Sequence, residues 1–300
     1  MPQIIDQMLA SYKDQPFYGR KNEIKEIIQE IVLCGLSRGE FFSKAAFYGG
    51  TALRIFYGLD RFSEDLDFSL VQPDSDFDLQ TYLSFVENEV NSYGFHFRVE
   101  SHEKKGDSAI QSAFLKGNTR EHILLFYADE KSAAAAHKDE LIRIKFEVDT
   151  NPPLYAGFEQ KYRLLPIPYA VQLYDMPSLF AGKIHAVLCR AWQNRVKGRD
   201  LYDYIFYLSL NTPVNLRHLE SRLYQTGYLD KSAALDIHLL KTLLKNRFES
   251  IDYEQAKQDV LPFISNPEKI SLWSSSFFQA VTENLKEQKY EPYKQTITPR

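Results

Sequence analysis

Residues 45–70, AAFYGGTALRIFYGLDRFSEDLDFSL, constrain the fold more than any other part of the chain. The apolar run AAFY leads into Gly49 and Gly50, the stretch TALRIFYGL has helical spacing, and EDLDFSLV alternates between polar and apolar residues. We therefore predict a strand, a short helix and a second strand in quick succession. The unusual part is the second strand, because it carries Asp65 and Asp67 between apolar residues.

The two aspartates of this strand should share one face. Successive strand residues point in opposite directions and advance roughly 3.3 Å each, so Asp65 and Asp67 lie about 7 Å apart while Leu66, Phe68 and Leu70 pack inward. Unpaired, two such carboxylates repel and one tends to take up a proton. Mg²⁺ resolves this conflict, since it is usually held by one or two carboxylates plus substrate phosphates. We predict a Mg²⁺ site here, although an isolated Asp-x-Asp pair is also typical of a solvated strand edge.

A second alternating strand, ELIRIKFEVDT, offers a further acidic ligand. Sites that hold two metal ions usually need another carboxylate to complete the ligand set. Glu147 lies on the polar face of this strand, which could neighbour the first acidic strand, and Asp149 on the same face is the alternative.

The glycine pair suggests a phosphate-binding turn. Gly49 and Gly50 join a strand to a helix, where missing side chains let backbone N–H groups approach a phosphate at the positive end of the helix. Thr51 can cap that helix or donate its hydroxyl, Arg54 would point near the same place one turn later, and Ser63 precedes the acids. A glycine pair on its own is also typical of a simple turn.

Length and composition indicate an ordinary globular protein. The chain has 300 residues, of which 44% are hydrophobic and 25% charged, and a net charge of −4. No apolar window approaches the roughly 20 residues that a membrane span needs, and the N-terminus lacks the pattern of a secretory signal. We expect a cytoplasmic protein without a membrane partner, and the acidic balance argues against nonspecific coating of nucleic acid.

The pattern along the chain changes near residue 170. Before it, we predict helix over most of the first 45 residues, a helix in LQTYLSFVENEVNSYG that ends at Gly94, and strands in FHFRVESH, SAIQSAFLKG and ELIRIKFEVDT. One extended stretch, KYRLLPIPYAVQLYD, follows, and the remainder is mostly helical. The sequence therefore predicts an α/β domain over residues 1–170 and an all-helical domain over residues 171–300.

These motifs resemble a known family. GGTALRIFYGLDRFSEDLDF is similar to the first motif of the AbiEii/MenT nucleotidyltransferase toxins, which belong to the DNA polymerase β-like nucleotidyltransferase superfamily. KIHAVLCRAWQNRVKGRDLYDYIF resembles a later motif, and IKFEVDTNPP lies where the family supplies its third acidic strand. The resemblance covers residues of roughly 45 to 210. It implies an α+β fold, with an N-terminal polymerase β-like domain of mixed sheet and helices before an all-helical C-terminal domain.

The resemblance also assigns roles to residues. It makes Asp65 and Asp67 the Mg²⁺ ligands, Thr51 and Ser63 phosphate contacts, and Lys183 the lysine that contacts the nucleotide triphosphate. A helical acidic motif would comprise Arg199, Asp200 and Asp203, with Asp203 as the functional aspartate. The family often has Ser in place of Thr51, and Glu147 replaces an aspartate of the wider superfamily. The i,i+4 spacing of Arg199 and Asp203 also fits a simple ion pair on a helix surface.

The activity that the resemblance implies is transfer of a nucleoside monophosphate from an NTP to an acceptor, with release of pyrophosphate. Acceptors among relatives include the 3′ end of tRNA, and such toxins act in toxin–antitoxin or phage-defence systems with an antitoxin protein. Three alternatives use the same residues: nucleotidylation of a protein hydroxyl, a sugar-nucleotide enzyme, and a noncatalytic module that binds nucleotide or a partner. Against the second, no sugar-nucleotide domain precedes the motif.

Overall fold

The computed structural model describes residues 3–12, 20–101, 119–127, 142–190 and 196–289. In these ranges a seven-stranded mixed sheet has the order β3-β4-β5-β2-β1-β7-β6. The strands are β1 (Ala45–Tyr48), β2 (Leu66–Leu70), β3 (His96–Ser101), β4 (Thr119–Tyr127), β5 (Ile142–Asp149), β6 (Phe158–Arg163) and β7 (Tyr169–Tyr174). The mixed α+β class is thus as predicted.

The helices of the described ranges lie before, between and after these strands. They are α1 (Gln3–Ala10), α2 (Arg20–Arg38), α3 (Gly49–Tyr57), α4 (Gln80–Ser92), α5 (Met176–Cys189), α6 (Gly198–Ser209), α7 (Leu216–Gln225), α8 (Ile237–Glu249), α9 (Tyr253–Val260) and α10 (Ser275–Thr282). Gly94, at φ 78°, follows the end of α4 in the left-handed region, which confirms the predicted terminator.

The centre of the sheet brings the two predicted acidic strands together. β2 pairs antiparallel with β1 and parallel with β5. In this register Tyr48 is opposite Asp67 on one side, and Glu147 is opposite Asp67 on the other. The prediction that the strand of Glu147 neighbours the Asp-x-Asp strand is confirmed.

On the face of the sheet opposite the acidic residues, packed aromatic side chains fix the register of these strands. Phe68 of β2 lies 4.7 Å from Phe146 of β5 and 5.0 Å from Phe47 of β1, measured between ring centroids. All three are fully buried in the hydrophobic cluster formed with α2 and α4. Because side chains alternate along a strand, burial of these rings turns the neighbouring acidic residues to the other face.

The helices from α5 onward enclose a second hydrophobic cluster. It includes Ala46 of β1, Leu53 of α3 and Tyr174 of β7 together with side chains from α5 to α10. Helical structure therefore follows the sheet as predicted, but its core is continuous with residues of the sheet. The division into two domains at residue 170 stays a prediction, and β7 already spans it. Helices long and apolar enough to cross a membrane are absent from the part of the chain that the structure describes.

The strands of the sheet differ from the sequence predictions in two places, and one predicted strand is not described. The stretch KYRLLPIPYAVQLYD is not a single strand: it contributes the end of β6 and all of β7, which pair antiparallel from Phe158↔Tyr174 to Arg163↔Tyr169. Strand β4 was not predicted, because TREHILLFY lacks clean alternation. The predicted strand SAIQSAFLKG lies outside the described residues.

A glycine at the crossing of α6 and α9 tests this packing. A Cβ on Gly198 would clash with the backbone carbonyl of Ala256, whereas a Cβ on Gly182 in α5 would find its nearest neighbours at 3.9 to 4.0 Å. We expect Gly198→Ala to lower the free energy of unfolding by about 1–3 kcal/mol through overpacking. Gly182→Ala, the matched control, should leave it unchanged or raise it by about 0.5–1 kcal/mol. Urea unfolding measures both, and equal values for the two variants would contradict the packing described.

Candidate active site

The carboxylates of the acidic strands converge on one side of the sheet. Asp67 and Glu147 are direct neighbours across β2 and β5, and the carboxylate of Glu147 is close enough to raise the pKa of Asp67. Asp65 precedes β2 and lies close enough to interact electrostatically with both. Asp149 pairs with Ser69 and accepts a hydrogen bond from the backbone N–H of Asn151 at 3.0 Å. The structure thus brings Glu147, rather than the alternative Asp149, beside Asp67.

Burial of these acids makes their charge costly. Burial, together with the carboxylates of Glu147 and Asp65, holds the pKa of Asp67 well above its ordinary value of 3.8. Burial also raises the pKa of Asp65, with Glu64 and Glu147 adding to the effect. The ammonium group of Lys145 opposes both shifts and forms an ion pair with Glu147. The site is therefore an acidic cluster with one cationic neighbour on the same strand.

The donor set suits a divalent cation that shares its coordination with a substrate. Asp67 and Glu147 supply adjacent, desolvated carboxylates, which are the hard oxygen ligands that Mg²⁺ prefers. Within the described ranges, no group of three or more His, Cys, Asp or Glu side chains is arranged to hold a metal ion. The protein side of the site thus fits a cation completed by phosphate oxygens, and the ligand set of Asp65, Asp67 and Glu147 stays a prediction.

The glycine turn packs directly against these acids. Gly49 has φ 84°, in the left-handed region, and a Cβ there would clash with the carboxylate of Asp67. A Cβ on Gly50 would lie 2.5 Å from Nη2 of Arg61 and 2.8 Å from Oγ of Ser63. Side chains of the site therefore occupy the space that the glycines leave. The N-cap residue Tyr48 makes no side-chain hydrogen bond to the first turn of α3.

Two predicted phosphate contacts are engaged with the protein itself. The hydroxyl of Thr51 is buried, donates to the backbone carbonyl of Asp65 and lies 2.9 Å from Oγ of Ser63. Gln29 of α2 donates to the carbonyl of Glu64 at 2.9 Å. These contacts fix the loop before β2 against α3 and α2, so both hydroxyls position the acidic strand.

A buried ion-pair network lies over the same loop. Arg61 donates to both carboxylate oxygens of Asp203, from Nε at 2.6 Å and from Nη2 at 2.7 Å. Lys183 lies 2.8 Å from both Asp200 and Asp203, and Arg190 pairs with the second oxygen of Asp200. Burial opposes ionisation of both aspartates, but the neighbouring cations outweigh it and hold the pKa of Asp200 and of Asp203 below the ordinary value of 3.8.

This network reaches the acidic cluster through Arg190. Asp200 is the main cause of the raised pKa of Arg190, but Asp67 and Glu147 contribute as well. Lys197 is also affected by Arg190: repulsion from this guanidinium is the main cause of the lowered pKa of Lys197, followed by burial. The structure therefore brings together the two sequence motifs, with carboxylates on the sheet and cations on α5 and the segment that follows it.

Two predicted nucleotide contacts are engaged with other residues of the protein. Arg54 was expected near the glycine turn, but its guanidinium donates to Glu26 of α2 at 3.0 Å and to the carbonyl of Leu59 at 3.1 Å. It therefore points toward the C-terminal end of α3, away from Gly49 and Gly50. Arg199 does not form the i,i+4 pair with Asp203 that its spacing allowed, since Asp203 pairs with Arg61 and Lys183.

The environment of Arg199 indicates a structural contact. Its guanidinium lies 3.6 Å from Glu64 and 3.8 Å from Asp259, and it stacks 4.1 Å above the ring of Phe263. The ion pair with Glu64 is a second connection between α6 and the loop before β2.

Sequence reasoning missed three cations of the site. Arg61 stands between the two motifs without a periodic pattern, and its partner Asp203 is 142 positions away. Arg190 directly follows α5, where a basic residue is also typical of a simple interaction with the negative end of a helix. Lys145 could have been found, because it lies two positions before Glu147 on the same polar face of β5.

Comparison with known proteins shows which family and which solved structures the chain is similar to. The model of the family described as nucleotidyl transferase AbiEii toxin, type IV toxin–antitoxin system, matches residues 31–284. Among solved structures, an H. pylori protein named as a candidate nucleotidyltransferase is 18% identical, with a TM-score of 0.50 over 89% of this chain and 97% of that one. JHP933 from Helicobacter pylori is 17% identical, with a TM-score of 0.49 over 89% of this chain and 94% of that one. No curated protein matches the chain significantly. At these identities the first structure indicates a shared fold alone.

The raised pKa of Asp67 has a consequence for stability. A carboxyl group whose pKa is higher in the folded than in the unfolded protein stabilises the fold less as pH rises above its unfolded value of 3.8. We expect Asp67→Asn to be more stable than the wild type at mildly alkaline pH without divalent cations, and this gain should shrink as the solution is acidified.

Urea unfolding at several pH values in the presence of a chelator measures this difference. The matched control is Asp76→Asn, which removes an exposed carboxylate from the loop after β2. If Asp67→Asn were less stable than the wild type at alkaline pH, the electrostatic picture of the cluster would be wrong.

Proposed function

Since the chain belongs to the AbiEii family of nucleotidyl transferase toxins from type IV toxin–antitoxin systems, we propose that it is a Mg²⁺-dependent enzyme that transfers a nucleoside monophosphate from an NTP to an RNA hydroxyl, such as the 3′ end of tRNA. Nucleotidyl transfer follows from the family. The cation, the acceptor and the residue roles are our proposal, as is a functional link to a cognate antitoxin protein.

One observation carries this proposal: Asp67 and Glu147 face each other beside a glycine turn and within the field of Arg190. Transfer of a phosphoryl-type group depends mostly on positioning and on neutralising charge. Carboxylates on one side of the site would position a triphosphate through its cation, and the cations on the other side would neutralise phosphate charge. A Mg²⁺ ion held by Asp67 and Glu147 would neutralise phosphate oxygens and make a bound hydroxyl more acidic.

The residues of the chain have distinct roles in the reaction. The acceptor oxygen forms a bond to the α-phosphorus as the bond from the α-phosphorus to the bridging oxygen breaks, and pyrophosphate leaves. The hydroxyl proton passes to a carboxylate of the cluster. Asp65 suits this step, because burial raises its pKa toward the value at which a general base works best. Arg190 stabilises the charge that develops on the leaving pyrophosphate.

Lys183 is placed to contact the triphosphate without losing its own partners. An ammonium group has three N–H donors, and two of them point to Asp200 and Asp203 at 2.8 Å. We assign the third to a phosphate oxygen of the NTP. Asp200 and Asp203 then position this lysine, which is the role we propose for them in place of direct contact with the nucleotide.

The backbone of the glycine turn completes the phosphate site. The N–H groups of the first turn of α3 lie at the positive end of the helix dipole, and no side chain caps them from Tyr48. We propose that Gly49 and Gly50 orient these donors. Thr51 and Ser63 contribute through the loop they hold in place.

A labelling experiment tests the proposed reaction. Purified protein is incubated with Mg²⁺, total tRNA and each α-labelled NTP in turn. Label should appear on RNA with one or a few of the nucleotides, and it should be lost in Asp67→Asn and Glu147→Gln because the cation ligands are gone. Asp76→Asn, outside the site, should label RNA at the wild-type rate.

The distribution of label decides between acceptors. Label on protein in place of RNA would replace the RNA acceptor with a polypeptide hydroxyl. Absence of label in both fractions, with NTP still bound, would overturn the proposal in favour of a noncatalytic binding module. Transfer that persists in the presence of a chelator would remove Mg²⁺ from the mechanism.

The role of Lys183 has its own test. In Lys183→Met we expect kcat/KM for the NTP to fall by about 10²- to 10³-fold, as when one charge-stabilising donor is removed from an active site. The fold should persist, since Asp203 keeps Arg61 and Asp200 keeps Arg190. The exposed Lys286→Met controls for loss of one positive charge. Unchanged kinetics in Lys183→Met would show that this lysine does not touch the nucleotide.

A further inference from the structure

An exposed apolar surface lies at one edge of the sheet, far along it from the acidic strands. Strand β6 is the last in the strand order, beyond β1 and β7. Of the eleven large hydrophobic side chains exposed in the described residues, six fall in the segment 154–165. Tyr162 is 69% exposed and Leu164 is 73% exposed. Exposed apolar side chains concentrated in one segment are typical of an interaction site.

The backbone of β6 adds a second reason to expect a partner. On its inner edge β6 pairs with β7 along its whole length, and no strand of the described residues pairs with its outer edge. An outer edge presents a row of N–H and C=O groups that can extend the sheet into another chain. Residues 158–163 contain no proline, the residue that most often blocks such pairing.

We propose that β6 pairs antiparallel with β6 of a second copy of this chain, about a two-fold axis that passes beside Gln160. This register places Phe158 of one copy opposite Tyr162 of the other. It also places Glu159 of one copy opposite Lys161 of the other. A two-fold axis repeats both pairs, so the strand is complementary to itself.

The side-chain pairs of this register are of the types that stabilise antiparallel strand pairing. Directly opposite residues of antiparallel strands share a face, where aromatic pairs and pairs of opposite charge stabilise pairing and like charges weaken it. Phe158 and Tyr162 lie on the exposed face of β6, and Glu159 and Lys161 lie on the other face with side chains about one third exposed, at 37% and 32%. Within the chain, Glu159 accepts a hydrogen bond from the hydroxyl of Tyr57, and Lys161 lies 4.0 Å above the Tyr57 ring and 3.8 Å from Glu159. The exposed third of each charged side chain remains open to a second strand.

The same charges disfavour neighbouring registers. An axis at Glu159 would place the two glutamates opposite each other. An axis at Lys161 would place the two lysines opposite each other and Glu159 opposite Arg163, whose guanidinium already donates to both carboxylate oxygens of Glu30. The charges therefore favour the register centred on Gln160, which has no pair of like charges. A partner with an unrelated sequence has no such match to this pattern, which is why we choose a second copy as the occupant.

Charge reversal gives a sharp test in solution. Wild-type protein should sediment as a dimer across a range of concentrations. Glu159→Lys places two lysines opposite two lysines, and Lys161→Glu places glutamates opposite glutamates, so each variant alone should self-associate at least about tenfold more weakly. A mixture of the two variants should form a one-to-one heterodimer, because each then restores the charges that the other needs.

Two further variants test the apolar part of the interface and control for a charge reversal outside it. Tyr162→Lys changes a side chain that is mostly exposed, so it should weaken the dimer without affecting folding. Glu254→Lys on α9 reverses an exposed charge far from β6 in the sequence and should leave the dimer intact. Circular dichroism confirms that each variant is folded.

Other results would overturn the proposal. A monomeric wild type would exclude it, and protected β6 amides in hydrogen exchange of that monomer would show that another part of the chain covers the edge. A dimer that withstands both charge reversals and Tyr162→Lys would place the interface elsewhere. Folded single variants that do not associate when mixed would exclude the proposed register.

Discussion

The bidentate ion pair between Arg61 and Asp203 connects the sheet side and the helical side of the candidate active site. It is buried at both ends, and it joins the loop before β2 to α6, which lies 142 positions later in the chain. A buried ion pair is strongly destabilising when one partner is removed, so neither half of the pair is replaceable alone. Lys183 and Asp200 extend this connection to Arg190, and with it to the carboxylates of the sheet.

The pKa values of the aspartates shift in opposite directions on the two sides of the site: they are lowered on the helices and raised on the sheet. On the helices, each aspartate has two cationic partners and stays ionised. On the sheet, burial is the main cause of the raised pKa values of Asp67 and Asp65, and neighbouring carboxylates raise them further despite the ammonium group of Lys145. A bound triphosphate with its cation would complete the second side and meet the cations of the first. Aspartates of the same sequence type thus differ in the direction of their pKa shift because their burial is offset by cations on the helices and is not offset on the sheet.

Much of the sheet side of the site was predictable from the sequence, whereas the helical side was not. Alternation with a period of two placed Asp67 and Glu147 on polar faces opposite buried aromatic residues, and the structure has the same arrangement. Helical periodicity says which face a residue lies on, but not which distant side chain it meets. Hence Arg54 was placed near the glycine turn although Glu26 holds it at the other end of α3, and the partner of Asp203 was missed.

The alternation along β2 also acts as a check on folding. Asp67 and Phe68 are adjacent in the chain, and Phe68 packs between Phe47 and Phe146. Slippage of β2 by one residue against β5 would insert carboxylates into the aromatic core and expose the rings to water, which is costly on both counts. Molecules in which β2 is shifted by one residue are therefore much less stable than the native state. A folded population of this protein should be homogeneous in its site, so partial activity in a preparation would reflect unfolded molecules rather than folded ones with a misassembled centre.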